Sequence, residues 1–395
     1  MKSNKDIEQI IIKSPGRINL IGEHIDYNGG NVLPGSIKHK LTLKFYKTNN
    51  NQCTISSEGY GSLKFDIKQP LKISSNQWEN YILGVVDGLN KKSLNALNGF
   101  DCIISGDLPI GAGIASSAAL ECGVAKGLNE LFNLNINDED LIDISCKAEH
   151  NFVNNKCGMM DQFTVIKGQE KKLLLLNCAT LEYKLLSINF KNYKIVLLNS
   201  NVDHNLATSE YNIRRAECEH ALKIIQDQYP EYNFLADVPE AVIKSLKEKF
   251  PKKLFQRAIY VSQENARTLK AASLLEEDKI LDFGSLMYQS HKGLSEKYQV
   301  SVPELDFLVD LTKGFPKVIG SRLMGGGFGG STINLVDETF VKEFINIASV
   351  EFKNKFNINL TPLVVDISNG VEVISSGLNG FAKHNSFEDV NIPGN

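Results

Sequence analysis

The order of strand-like and helix-like segments predicts an α+β fold with two domains. Strand patterns dominate the first 70 residues, whereas helical spacing of apolar residues dominates from about residue 206 to residue 311. Elsewhere strands and helices alternate without the regular rhythm of βαβ units, which argues against a doubly wound parallel sheet. No glycine- or proline-rich linker separates two halves. We therefore place the domain boundary where strand-led character gives way to helix-led character, between residues 1–190 and residues 191–395.

The N-terminal domain is predicted to combine strands with helices. Strand patterns occur at residues 7–12, 41–46, 53–56, 63–67, 100–105 and 173–176. Apolar residues at helical spacing predict helices at 78–89, 116–131 and 139–152, the last preceded by the acidic cap Asn137-Asp138.

The C-terminal domain is predicted to be α+β. Helices are expected at 209–228, 255–275, 283–297, 303–311 and 341–352, with strands at 195–198, 318–323, 332–336 and 363–367. The polar residues after about 380 are expected to be loosely held.

Composition excludes several classes of partner. With 42% hydrophobic and 23% charged residues and a formal net charge of −3, the chain reads as an ordinary globular protein without nucleic acid or an anionic membrane as partner. No apolar run reaches the length of a membrane span, and the start MKSNKDIEQI lacks the apolar core of a signal peptide, so we expect a cytoplasmic protein. Seven scattered cysteines without a CxxC pair predict free thiols, and no zinc-type ligand spacing indicates a structural metal.

The most informative segment is PGRINLIGEHIDYNGG, residues 15–30. Residues 18–21 can form a strand, so the part from 22 to 30 is predicted to be a loop that leaves it. Arg17, Glu23, His24, Asp26 and Tyr27 lie within eleven residues, beside several glycines. A buried strand would not carry so many polar groups without partners. The segment predicts a site for a polyhydroxylated ligand.

Two further segments are rich in glycine. In SGDLPIGAGIASSAALE, residues 105–121, a strand ends in a glycine turn and a helix begins near Ser116, an arrangement typical of an anion site. Ser116 and Ser117 either cap that helix or place a hydroxyl on a phosphate or on Mg²⁺. In GSRLMGGGFGGSTINLV, residues 320–336, the glycines lead into a strand rather than a helix, so a dinucleotide fingerprint is excluded. This loop is expected to lie against phosphates or against the other glycine loop.

Taken together and in this order, the three segments resemble those of GHMP kinases, and GRINLIGEHIDY resembles the galactokinase branch. The resemblance extends to QWENY at residues 77–81, KAEHNFVNNKCGMMDQF at 147–163, SNVDHNLATSEYNIRRAECE at 200–219 and LMYQSHKGLSEKYQVSVPELD at 286–306. It covers roughly residues 14–367. It implies a two-domain GHMP-kinase-like fold with the active site in the cleft between the domains. The implied reaction is ATP-dependent phosphorylation of the anomeric hydroxyl of galactose.

The resemblance also implies roles for individual residues. Asp161 matches the catalytic aspartate, and Arg17 matches the arginine near that aspartate and the transferring phosphate. The sugar-binding positions match Glu23, His24, Ile25, Asp26 and Tyr211. The phosphate loop matches Gly111, Ala112, Gly113, Ile114, Ala115, Ser116 and Ser117. Ser117 and Glu149 match the residues that hold Mg²⁺, and Trp78 lies either near the adenine or in the core.

Three alternatives stay open. Ile25 stands where galactokinases often have threonine, and a hydrophobic residue also occurs there in the related N-acetylgalactosamine kinases. The substrate is therefore expected to be galactose, with N-acetylgalactosamine or another hexose as the alternative. A non-catalytic sensor of galactose and ATP is the third possibility, although such relatives tend to lose phosphate-loop residues that this chain keeps. We expect a monomer, with an oligomer left open.

Overall fold

A computed structural model of the chain describes residues 9–109, 111–202 and 207–376. The beginning of the strand predicted at 7–12 and the tail expected to be loose after about residue 380 lie outside the described residues. The described part combines three β-sheets with helices, so the predicted α+β class is confirmed.

The strands and α-helices are numbered in chain order. The strands are β1 (Gln9–Asn19), β2 (Asn31–Val32), β3 (Pro34–Lys47), β4 (Gln52–Ser57), β5 (Gly61–Asp66), β6 (Phe100–Gly106), β7 (Lys172–Asn177), β8 (Tyr183–Ser187), β9 (Tyr193–Asn199), β10 (Val318–Met324), β11 (Ser331–Asp337), β12 (Thr361–Val365) and β13 (Glu372–Ser376). The α-helices are α1 (Gln77–Lys92), α2 (Ser116–Leu131), α3 (Asp138–Ala148), α4 (Met160–Lys167), α5 (Ala207–Gln226), α6 (Glu240–Ser245), α7 (Lys252–Glu276), α8 (Ile280–Gly293), α9 (Pro303–Thr312) and α10 (Val341–Phe356).

The largest sheet has six strands in the order β13-β1-β3-β6-β4-β5. Neighbouring strands are antiparallel except β4 and β6, which are parallel. Helix α2 packs on β1 and β3, and two of its glycines face β3, where a Cβ on Gly123 or Gly127 would press on Leu43 or Phe45. These glycines allow the helix to lie close to the sheet, and this brings its N-terminus beside the end of β1.

A second sheet of four antiparallel strands has the order β10-β11-β9-β12, and a third contains β2, β7 and β8. Strand β13 comes from the C-terminal end of the described chain, yet it pairs with β1 in the first sheet. The division between residues 1–190 and 191–395 stays a prediction.

Most predicted elements appear within a few residues of their expected positions. Short elements were missed, among them α4, which carries Asp161, and β8. None of the helices in the described ranges is both long enough and apolar enough to span a bilayer.

Candidate active site

Several distant parts of the chain meet at one cavity of about 200 Å³. Eight residues that the sequence singled out line it, namely Arg17, Glu23, His24, Asp26, Ser117, Glu149, Asp161 and Tyr211. The remaining lining residues are Asn155, Cys157, Met160, Gly325 and Gly326. The first and third motif segments, the start of α2 and the first turns of α4 and α5 therefore contribute to the same space.

Arg17 binds the Asp161 carboxylate directly. Its Nε donates to Asp161 Oδ1 at 2.7 Å and its Nη2 donates to Oδ2 at 2.8 Å, while Nη1 donates to the Gly113 carbonyl at 2.7 Å. Such a two-pronged pair fixes the plane of the carboxylate. Burial by itself lowers the pKa of Arg17, but the charges of Asp161, Glu23 and Asp26 together with the hydrogen bonds to Asp161 raise it above its usual value. Arg17 is thus a permanent cation that orients Asp161.

Glu23 connects the first motif segment to the third. Its Oε1 accepts hydrogen bonds from Gly325 N at 2.8 Å and from Nη2 of the fully buried Arg322 at 3.0 Å. Arg322 also donates to the carbonyls of Leu20 and Asn19. Although burial alone raises the pKa of Glu23, Arg322 and then Arg17 bring it below its usual value. A carboxylate therefore persists in this wall of the cavity.

His24 has a protein partner on each ring nitrogen. Nε2 lies 3.0 Å from the Gly326 carbonyl, which can only accept, so Nε2 carries the proton and Nδ1 accepts from the Tyr27 hydroxyl at 2.8 Å. The Tyr27 hydroxyl then accepts from Tyr298 at 2.7 Å. Burial lowers the pKa of His24 to about 4, which keeps the ring neutral. The resemblance matches His24 to a sugar-binding position; here the ring lines the cavity, and its hydrogen bond to Gly326 joins two loops.

Asp26 is a buried acidic residue in close contact with Gly158 in the loop before α4. It lies in a 3₁₀ turn at Asp26–Asn28, and its carboxylate packs so closely on Gly158 that a Cβ there would overlap Oδ2. Burial, and then the charge of Asp161, raise the pKa of Asp26 to about 7. The ring of Tyr211 lies nearby, with its centroid 5.2 Å from that of His24. Asp26 and Tyr211 both line the cavity that Asp161 lines.

Ser117 and Glu149 are suited to hold a hard cation. Ser117 Oγ donates to Glu149 Oε1 at 2.8 Å, and Asn155 Nδ2 donates to the other carboxylate oxygen. Burial raises the pKa of Glu149 to about 7, although both hydrogen bonds oppose the rise and Asp161 adds to it. A hydroxyl and a buried carboxylate beside a second carboxylate form a donor set that fits Mg²⁺.

A second cavity of about 600 Å³ adjoins the first, because Ser117 lines both. Its walls include Ser116 and the aromatic rings of Tyr60, Trp78 and Tyr81. The Tyr60 and Trp78 ring centroids lie 6.4 Å apart. A large, mainly apolar space that opens onto a helix N-terminus is suited to a flat ring with an anionic tail.

The two glycine-rich loops lie against each other, as one of the sequence-based expectations stated. Ser331 Oγ donates to the Ala112 carbonyl at 2.6 Å, and a Cβ on Gly113 would stand 3.3 Å from the Met324 carbonyl oxygen. The expectation that Ser116 or Ser117 caps α2 is corrected, because Ala115 occupies the N-cap with a left-handed φ of 57° and no side chain bonds to the helix end. Ser117 Oγ is not used for capping and instead donates to Glu149 Oε1.

Not every predicted residue lines a cavity. The segment of Gly111, Ala112, Gly113, Ile114 and Ala115 contributes to neither space; instead the carbonyls of Gly113 and Ile114 accept from Arg17. Ile25 lines neither cavity either, since its fully buried side chain packs in the core against Gly30. An apolar side chain between two polar neighbours of a tight turn points inward, and linear motifs do not reveal this.

Sequence reasoning missed other members of the site. Asn155 and Cys157 were part of a quoted motif but were given no role, and Arg322 was not singled out at all. The position of Arg322 within the apolar strand β10 could have revealed it. A buried cation requires an anionic partner, so an arginine there indicates a nearby carboxylate.

Comparisons with known proteins agree with this geometry. The family model described as "GHMP kinases N terminal domain" matches residues 80–169, and the model described as "Galactokinase galactose-binding signature" matches residues 2–45. A solved structure of galactokinase from Lactococcus lactis complexed with galactose has a TM-score of 0.88 at 32% identity, and it covers 92% of this chain and 95% of that one. A mevalonate kinase with 21% identity and a TM-score of 0.62 shares the fold.

Curated relatives cover almost the whole length. The galactokinase of Clostridium acetobutylicum is 40% identical over 371 residues, which is 92% of this chain and 94% of the relative. The galactokinase of Thermosipho africanus is 36% identical over 364 residues, which is 92% of this chain and 99% of the relative. Because likeness at this level covers 92% of this chain and more than nine-tenths of each relative, this chain belongs to the galactokinase family.

Proposed function

We propose that this protein transfers the γ-phosphoryl group of ATP to the anomeric hydroxyl of D-galactose, with α-D-galactose 1-phosphate and ADP as products. The observation that carries the proposal is the clamped Asp161, which lines a polar cavity that a larger, mainly apolar cavity adjoins at Ser117. A sugar and a nucleotide would meet at this boundary. The names of the relatives, and the galactose complex of one of them, support the choice of sugar.

In this proposal the sugar occupies the smaller cavity. Glu23 and Asp26 are carboxylates that accept hydrogen bonds from hydroxyl groups, and the Tyr211 ring covers one side of the cavity. The neutral His24 fixes the relative positions of the two loops that carry these groups. A site of this kind rejects a hexose that lacks a correctly placed hydroxyl, because its buried polar groups would lose their partners.

Asp161 accepts the proton of the anomeric hydroxyl as that oxygen attacks the γ-phosphorus and ADP leaves. Arg17 holds the Asp161 carboxylate in the plane required for this through two hydrogen bonds from its guanidinium group. The same cation offsets negative charge that develops on the phosphoryl oxygens.

The nucleotide occupies the larger cavity, with its base beside Trp78 and its phosphates directed at the N-terminus of α2. Ser117 and Glu149 would hold Mg²⁺, which when bound neutralises phosphate charge. The role of residues 111–115 is then to shape the phosphate-binding turn and to carry the carbonyls that fix Arg17.

The cysteines support a proposal for the location of the protein. All seven cysteines are free thiols, which supports a reducing compartment and therefore the cytoplasm. The monomer stays a prediction.

The deciding experiment measures ADP release from Mg²⁺-ATP in separate reactions with galactose, N-acetylgalactosamine, glucose and no sugar. The expected result is release that is strongest with galactose. Preference for N-acetylgalactosamine would reassign the substrate of the same site. Folded protein that binds ATP and galactose yet releases no ADP would instead identify a sensor.

A further inference from the structure

A cluster of soft metal ligands lies beside the candidate active site and has no part in the proposed reaction. Cys146 is in the last turns of α3, and His150 is one helical turn later in the π-helix Glu149–Val153. Cys157 follows in the loop that leads to Asp161. One ligand atom from each of the three side chains lies within 4.8 Å of the other two.

The spacing matches what a single ion requires. Tetrahedral zinc holds sulfur at about 2.3 Å and nitrogen at about 2.0–2.1 Å, which separates a sulfur ligand from a nitrogen ligand by about 3.6 Å. Cys146 Sγ and His150 Nε2 are 3.6 Å apart. Cys146 is buried, whereas His150 and Cys157 are partly exposed, and Cys157 lines the smaller cavity, so an ion can reach the cluster.

The ligand types separate this cluster from the neighbouring oxygen site. Two thiols and an imidazole favour zinc-like ions, whereas a hydroxyl and carboxylates favour magnesium. Glu149 and His150 are adjacent in sequence and belong to the two different sites. Each of the two sites can therefore bind its own class of ion.

We propose that Cys146, His150 and Cys157 form a second metal site, which binds a thiophilic divalent cation of the Zn²⁺ or Cd²⁺ class and lowers turnover when occupied. Three protein ligands leave a fourth tetrahedral position for water, as in catalytic zinc sites.

The loss of turnover follows from a hydrogen bond that the ion displaces. His150 Nε2 donates to the Cys157 carbonyl at 2.8 Å and thereby holds the loop before α4. An imidazole nitrogen that coordinates a metal has no proton to donate. Metal binding at His150 Nε2 therefore breaks its hydrogen bond to the Cys157 carbonyl. The next residue, Gly158, packs directly on Asp26, and Asp161 lies one helical turn further on. A shift of Cys157 toward a bound ion therefore displaces the carboxylates of Asp26 and Asp161.

The first test measures binding and does not depend on any activity. Metal-free protein in a phosphine reductant, without ATP or Mg²⁺, is titrated with Cd²⁺ while the sulfur-to-cadmium absorption band is recorded, and Zn²⁺ binding is measured by equilibrium dialysis. We expect one bound ion per chain, and an affinity at least about tenfold weaker in Cys146→Ser and in Cys157→Ser. Cys178→Ser, which changes a partly exposed cysteine outside the cluster, is the matched control and should bind like the unaltered protein. Absence of the band, or equal affinity in all three variants, would overturn the site.

If a cluster variant folds poorly, the metal site is tested by whether Zn²⁺ protects the cysteines of the unaltered chain from alkylation. Zn²⁺ should slow alkylation of Cys146 and Cys157, mapped by mass spectrometry, but not that of Cys178. Equal rates with and without Zn²⁺ at all three would contradict the proposal.

The second test concerns turnover and rests on the proposed function. Zn²⁺ is added at saturating Mg²⁺-ATP, and each protein's rate is expressed relative to its own metal-free rate. We expect inhibition of the unaltered chain to be weakened at least about tenfold in Cys146→Ser. Unchanged inhibition there would refute the coupling, even if binding is observed. If no sugar supports turnover, the binding test still stands by itself.

Discussion

Arg17 and Asp161 are 144 positions apart in the chain, yet they share two hydrogen bonds of 2.7 and 2.8 Å. Strand β1 delivers the arginine, and the first turn of α4 delivers the aspartate. Both residues line the smaller cavity, where Asp161 is proposed to accept a proton and Arg17 to orient it, so the predicted effects of substitution differ between the two.

Replacement of Asp161 by asparagine is expected to lower kcat by about 10²- to 10⁴-fold while the KM values for galactose and ATP change little. Asparagine keeps the size of the side chain but cannot accept the proton. Steady-state kinetics measures the effect, and Asp282→Asn, an exposed aspartate at the start of α8, is the control. Full turnover by the Asp161 variant would show that this carboxylate is not the base.

Arg17→Lys is expected to lower kcat by about a hundredfold, because lysine retains the charge but not the planar fork that holds both carboxylate oxygens. Arg17→Met removes the charge as well and should be slower still. Comparison of the two variants separates orientation from charge. A lysine variant with unaltered kcat would show that the two-pronged geometry is dispensable.

Gly158→Ala is expected to raise the KM for galactose at least about tenfold, because the new methyl group would overlap the Asp26 carboxylate and displace it from the sugar cavity. Gly314→Ala is the control, since a Cβ there meets only the Leu311 carbonyl oxygen at an ordinary distance of 3.5 Å. Kinetics at saturating ATP measures the change. Equal KM values in both variants would show that this packing does not position Asp26.

Asp26→Asn is expected to stabilise the ligand-free protein at pH 8 while it removes activity. The pKa of Asp26 rises from 3.8 in the unfolded chain to about 7 in the folded one, so the folded state binds the extra proton between these values and its stability falls as the pH rises through them. The full difference corresponds to about 4 kcal/mol.

Asparagine carries no charge, so the variant does not lose folding stability at this position as the pH rises. Urea unfolding at pH 5.5 and at pH 8 tests the prediction, and the advantage of the variant should be larger at pH 8. A variant that is less stable than the unaltered protein at pH 8, or a difference independent of pH, would contradict it.

Glu149→Gln is expected to raise the Mg²⁺ concentration needed for half-maximal activity about tenfold or more, because a neutral amide is a weaker ligand for a hard cation. The KM for galactose should change little. Magnesium titrations of the initial rate measure the effect, with Glu338→Gln in an exposed turn as control. Unaltered magnesium dependence would remove Glu149 from the proposed site.

The amino-acid sequence determined the kinds of secondary structure and the segments that build the site. Periodicity is local, so the apolar spacing of residues 116–131 specified α2 to its exact bounds. Short elements such as α4 lack enough periods to be read in this way. The polar, glycine-rich segments were recognisable because core strands do not accommodate such residues.

The tertiary structure decided which of these residues act together. The Arg17–Asp161 clamp, the two protein partners of His24 and the inward packing of Ile25 depend on contacts between elements far apart in the chain or on the geometry of one turn. The same is true of Cys146, His150 and Cys157, whose spacing resembles no zinc motif but which a π-helix and the loop after it bring within 4.8 Å. Local patterns encode how each segment folds, whereas side-chain distances across the cavity depend on how sheets and helices pack, and only the assembled core establishes those distances.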